Sequence, residues 1–343
     1  ANLMSLFNFL KYPGTQRDIS ILITLKFAFS IVTYFVIVIL LDQNIFLYPD
    51  FTNTYSDCSQ NHTNIFYTRL LCGASYISSN TITPESMFMI ILAAIINIFV
   101  VVYYYKSLHC YLSRNGQLIL IIMLAFHPYM AVYFFRFYTQ IFAVLGILLI
   151  FDYAYKQKQI NLLFLALAFV LMNFRNALIP VFFCYGIYEI VTLFCRDKKL
   201  GISPFVLIIL CFISYIPAMS FSVKFADMAS DFNIMSNLVY TFGFRESVAL
   251  NGISSLLKQE MGYAQILISL SLLCIHLIGL LGIIKFSIIN KKPSIMICLT
   301  YIVAPILVVS HMRYLLPLMP ILLFGFTYIL FKKESGMFSK ISR

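Results

Sequence analysis

Apolar runs about as long as a bilayer is thick follow one another along most of this chain of 343 residues, and little but a helical membrane bundle satisfies such a pattern. A helix needs about 20 residues to cross a hydrocarbon core, and every backbone amide inside that core must bond within its own segment. By this measure the sequence predicts ten helices, near 21–41, 86–105, 117–134, 138–155, 159–173, 177–195, 203–222, 263–285, 293–310 and 314–331. The expected fold is an all-α polytopic integral membrane protein, with residues 1–343 forming a single transmembrane domain. Composition agrees, with 61% hydrophobic and 11% charged residues.

Lysines and arginines in the connections set the expected orientation, because positively charged loops stay cytoplasmic. One face collects Lys11, Arg17, Lys26, Lys106, Arg114, Lys156, Lys158, Arg196, Lys198, Lys199, Lys285, Lys291, Lys292, Lys332, Lys333, Lys340 and Arg343, which is 17 of the 24 basic residues. Ten spans return the chain to the face it started from, so both termini are expected in the cytoplasm. The stretch ANLMSLFNFLKYPGTQRD before the first span is read as a retained cytoplasmic segment, since the run after it is too long for a signal-peptide core.

The opposite face carries Arg69, Arg136, Arg175, Arg245 and Arg313 with Lys224 and Lys258; arginine is five of seven here, against four of 17 on the first face. Topology asks only for charge, which lysine supplies. Arginine adds a planar fork of donors that grips phosphate or carboxylate with two bonds. The outer arginines therefore suit oxyanion recognition. Each taken alone has a plainer use, snorkelling to lipid phosphates or pairing with an outer acid. The net charge of +11 is mostly the lysine fringe that topology demands, so a nucleic-acid partner is not expected.

Two outer segments are long enough to build something, 42–85 and 223–262. Both mix carboxylates with Tyr, Phe, Asn and Ser, groups that hydrogen-bond sugar hydroxyls and stack on sugar rings. Glycosyl transfer to an alcohol needs a base for the acceptor's proton and cations for the departing phosphate. Asp50 and Asp57 follow the outer end of the first span, while His127 and His311 lie at the outer ends of theirs; these four are the candidate catalytic groups. Turn formation and helix-end hydrogen bonding are their bland alternatives. Asp152 and Glu189 read as structural acids of the cytoplasmic half, and His276, alone in an apolar span, as a satisfied core histidine.

Of the eight cysteines only Cys58 and Cys72 share an outer loop, where a disulfide would close about 15 residues and contribute roughly 3 kcal/mol. Neither CxxC nor a His/Cys cluster occurs, so no metal is assigned. Asn61-His62-Thr63 formally matches the N-glycosylation pattern.

The segment HMRYLLPLMPILLF, 311–324, resembles the last-helix motif of the polytopic GT-C glycosyltransferases, an Arg-aromatic pair before a leucine- and proline-rich helix start. Residues 127–179 also look like the corresponding part of those enzymes and of bacterial O-antigen polymerases of the Wzy type. PDFTNTY, 49–55, is similar to their acidic first-loop segment. The bare ten-helix length favours the polymerase. The resemblance implies transfer of a glycan from undecaprenyl diphosphate to another lipid-linked repeat unit, on the periplasmic face of a bacterial inner membrane. It maps Arg313 with Tyr314, Arg136 and Arg175 onto the motif positions, and Asp50 or Asp57 onto the first-loop acid. With Arg69 and Arg245 these arginines would hold pyrophosphate. No cofactor is implied; membrane lipids, the polyprenyl-diphosphate-linked oligosaccharide and a chain-length regulator protein are the expected partners. The alternatives are a transferase adding one sugar from a polyprenyl-phosphate donor, or a transporter of lipid-linked glycans. A transporter should show internal repeats and charge near the membrane midplane, and the sequence suggests neither.

Overall fold

The computed structural model describes residues 13–36, 87–135, 140–195, 201–228, 262–302 and 315–333, which form helices and short connections with no strand among them. In chain order these are α1 (Pro13–Phe35), α2 (Met87–Leu108) with a 3-10 turn His109–Tyr111, α3 (Arg114–Phe126), α4 (Pro128–Val132), α5 (Gln140–Lys156) and α6 (Leu162–Phe174). There follow a 3-10 turn Asn176–Leu178, α7 (Ile179–Cys195), α8 (Ser203–Met228), α9 (Gly262–Ile289), a 3-10 stretch Pro293–Ile302 and α10 (Met319–Phe331). Four of the described segments, Gln16–Phe35, Ile90–Tyr111, Asn176–Cys195 and Ser271–Ile289, are long and apolar enough to cross a membrane. Large apolar side chains such as Leu162, Phe194, Ile202 and Leu281 are exposed, which is compatible with a lipid environment.

Where each helix begins and stops follows from a few side chains. Ser113 caps α3 by accepting from the Gly116 amide at 3.4 Å, and Asn161 caps α6 by accepting from the Phe164 amide at 2.9 Å. The Tyr153 hydroxyl holds Asn161 in place at 2.9 Å. The run 117–134 was expected to be one helix, and the structure corrects this: α3 stops at Phe126, and a new helix of five residues starts at Pro128. Proline has no N–H for the Leu124 carbonyl and its ring crowds that turn. It also drives the residue before it out of helical geometry, and His127 has φ −65° and ψ 119°.

Backbone and side-chain bonds tie many of the basic connections into one end of the bundle. Ser113 N–H donates to the Phe331 carbonyl at 2.9 Å, and Lys333 N–H to that of Tyr111 at 3.0 Å. Lys292 donates to the Tyr155 carbonyl at 3.0 Å and lies 3.5 Å from the centre of the Tyr155 ring. Two helices end here through left-handed residues, Gln157 (φ 51°) and Lys291 (φ 52°), with Lys158 N–H bonding back to Tyr153 O and Lys292 N–H to Ser287 O. Asp152 behaves as the structural acid the sequence suggested, bonded to Tyr103, Lys156 and Lys158.

At the same end the buried Asp18 receives both arms of Arg114 and the Tyr105 hydroxyl, the last at 2.9 Å. The bond to Asp18 pushes the Arg114 guanidinium further above its ordinary value. Asp18 is 3% exposed and Arg114 58%, so the two partners are not equivalent. Arg114→Ala strands a carboxylate away from water, whereas Asp18→Asn leaves a cation that solvent can reach. Arg114→Ala is therefore expected to lower the thermal midpoint of the detergent-solubilised protein more than Asp18→Asn does. The opposite order would contradict this account.

One predicted member of the basic face does not belong there. Lys26 is 1% exposed, inside α1 and two turns beyond Asp18, with its ammonium 3.5 Å from the Ala125 carbonyl near the broken end of α3. Far from being a cytoplasmic fringe lysine, it reaches toward a carbonyl in the turn that Pro128 interrupts.

Among the described residues the closest helix pair is α9 and α10, which run in parallel toward the basic end. Gly279 and Gly282 of α9 meet the Leu322 and Gly325 backbone of α10. Without side chains at these positions the two backbones approach as small residues allow in membrane bundles.

Candidate functional site

Three helices in the described bundle, α3, α6 and α10, have only 13 residues each, about 20 Å of rise against a hydrocarbon core of about 30 Å. Counting along α3, α6 and α9 places His127, Arg175 and His276 at a similar depth, roughly 20 Å from the basic end. The candidate site therefore comprises helix ends and buried nitrogen groups on the far side of the bundle from Lys156, Lys158, Lys292 and Lys333.

His127 is the C-cap of α3 and is 5% exposed. Its Nε2 lies 3.3 Å from Nε2 of His276, which is fully buried on α9, and the ring centres are 5.5 Å apart at 39°. Nδ1 of His127 has no hydrogen-bond partner. Lys26 caps the adjoining α3 carbonyl, so three nitrogen bases converge where one helix is broken. Among the described residues no carboxylate bonds to Lys26 or His127.

Arg175 ends α6 in an extended conformation, φ −145° and ψ 95°, with its N–H bonded to the Leu171 carbonyl at 2.9 Å. The turn that follows packs Leu178 against Gly146 of α5. The Phe174 ring stacks on Phe142 at 4.3 Å and 11°, which sets Arg175 near the start of α5. That start is Gln140, 1% exposed, whose side-chain amide lacks a hydrogen-bond partner. Asn97 of α2 donates to Ala93 O at 2.9 Å and Phe134 O at 3.0 Å, tying the Phe134 carbonyl to the middle of α2.

Of the ten residues singled out by the sequence, the structure describes His127 and Arg175. They lie on different helices, and no hydrogen bond or ring contact joins His127 to Arg175. Asp50, Asp57, Arg69, Arg136, Arg245, His311, Arg313 and Tyr314 lie outside the described residues, as do Cys58 and Cys72. The other six cysteines are free thiols. Among the described residues no group of three or more His, Cys, Asp or Glu side chains could hold a metal.

Sequence reasoning placed His276 correctly as buried and satisfied but missed its partner, and it missed Lys26. A signal for Lys26 was present, since it falls five residues inside the first predicted span. The sequence suggested no charge-bearing group inside the bundle, yet Lys26 is buried there. No family model, curated protein or solved structure matches the chain.

Proposed function

We propose that the chain is a polytopic membrane glycosyltransferase of surface-polysaccharide assembly, which polymerises undecaprenyl-diphosphate-linked O-antigen repeat units on the periplasmic face of a bacterial inner membrane. In this reading all ten apolar segments are membrane-embedded, the lysine-rich end and both termini are cytoplasmic, and segments 42–85 and 223–262 face outward. Arg175, Arg136 and Arg313, with Arg69 and Arg245, hold the pyrophosphates, and Tyr314 borders the lipid-linked sugar. An acid from Asp50 or Asp57, or an imidazole from His127 or His311, takes the acceptor's proton. The departing diphosphate carries away the bonding electrons of the anomeric carbon, and the arginines offset its charge without a metal.

The observation that supports this most is Arg175: an arginine at the end of a helix too short for the bilayer, beside the Phe142–Phe174 stack and roughly 20 Å from the lysine-rich end. A second reading, transport of a lipid-linked glycan, is favoured by the interrupted helix at His127-Pro128 and the buried Lys26, since discontinuous helices with interior charge mark transport sites.

Purified protein supplied with a synthetic undecaprenyl-diphosphate repeat unit separates the possibilities on a gel that resolves glycan length. A ladder is the expected result. A single added sugar with a polyprenyl-phosphate donor would point to the one-step transferase, and unchanged substrate with either donor would overturn the enzyme reading.

A further inference from the structure

We propose that His127 and His276 form a buried proton-exchange pair, with Nδ1 of His127 as the atom through which a proton enters or leaves. The placement carries the argument. Both rings are at least nine-tenths buried, their Nε2 atoms face each other at 3.3 Å, and a hydrogen bond there requires one nitrogen to carry hydrogen and the other a lone pair. Buried N–H groups are rarely left without an acceptor, whereas an unused lone pair is better tolerated. The unpartnered Nδ1 of His127 is therefore assigned the lone pair, its Nε2 the hydrogen, and Nε2 of His276 the accepting role.

That arrangement moves a proton in balanced steps. A hydroxyl or water gives its proton to Nδ1 of His127, forming an N–H bond as the O–H bond breaks and leaving an alkoxide or hydroxide; the Nε2 hydrogen then crosses to Nε2 of His276, so that His127 is neutral again and His276 carries the positive charge until the proton is returned by the reverse steps. The titratable group facing the pair from α1 is Lys26, whose Nζ lies 3.5 Å from the Ala125 carbonyl two residues before His127, and the one from α9 is His276 itself. Asp18, further along α1, is occupied by Arg114 and Tyr105. A second proton on the pair meets repulsion from the first, because the two Nε2 atoms are only 3.3 Å apart. Groups of this kind inside membrane bundles serve as proton relays. A transferase and a proton-linked transporter would both use such a pair, so the inference stands apart from the choice between them.

The test is nitrogen NMR on protein labelled with 15N-histidine in detergent micelles, with single His→Gln variants assigning the five histidines. Wild type is expected to show coupling between two imidazole nitrogens across a hydrogen bond, absent in His276→Gln, with hydrogen on Nε2 of His127. On acidification the pair should take up one proton. Two rings that titrate independently with no coupling, or hydrogen on Nδ1 of His127, would overturn the proposal. If His276→Gln does not fold, the wild-type spectrum by itself still shows whether the two nitrogens are coupled, and neither result depends on glycosyl transfer.

Discussion

Replacing Gly282 by leucine is expected to destabilise the detergent-solubilised protein by at least about 3 kcal/mol, a large share of the stability of a typical domain. The reason is local. A Cβ at position 282 would fall inside the van der Waals envelope of the Gly325 carbonyl, and backbone on a packed helix cannot swing aside as a flexible side chain can. Gly279 has the same relation to the Leu322 carbonyl, and Gly325 to that of Gly279. The control is Gly201→Ala, where an added Cβ meets nothing within 4 Å. Thermal unfolding of both variants checks this, and equal midpoints would contradict the close parallel packing of α9 and α10. Because α9 carries His276, loss of this contact should also disturb the imidazole pair.

The second large effect concerns Arg175. On the proposed function, Arg175→Ala should lower the rate of glycan elongation by about 100-fold to 1,000-fold, as expected for losing a group that offsets transition-state charge. Arg175→Lys should recover only part of that rate, because a point charge does not reproduce a bidentate fork. Arginine at the end of α6 also suits the carbonyl-rich pole of that helix, so a purely structural role is the alternative. The two separate on measurement: a structural role lowers the thermal midpoint and leaves the rate per folded molecule unchanged, whereas anion binding lowers the rate in a protein that still folds.

The helical character of the bundle was legible because apolar runs of near-bilayer length admit few other structures. Helix limits were less legible: the runs suggested starts at 117 and 159, whereas the helices begin at Arg114 and Leu162, behind side-chain caps from Ser113 and Asn161 that hydropathy does not register. The division of basic residues was legible in part. Contacts made by Arg114, Lys156, Lys158, Lys292 and Lys333 hold their segments at one end, as their spacing between runs suggested.

What escaped the reading were places where hydropathy averages over a local interruption. Pro128 sits in a run apolar enough to look continuous, yet one missing N–H ends α3. Lys26 was assigned by the sign of its charge, although its apolar neighbours placed it inside a helix. His127 and His276 meet across 149 positions of the chain, and no periodicity within either segment encodes that contact.

Oriented proteoliposomes test the central claim most directly, with the lipid-diphosphate repeat unit supplied only to the leaflet on the lysine-rich side or only to the opposite one. The account predicts a glycan ladder when substrate is on the side opposite the lysines and none when it is confined to the lysine side. Elongation from the lysine side, or no elongation from either, would contradict it.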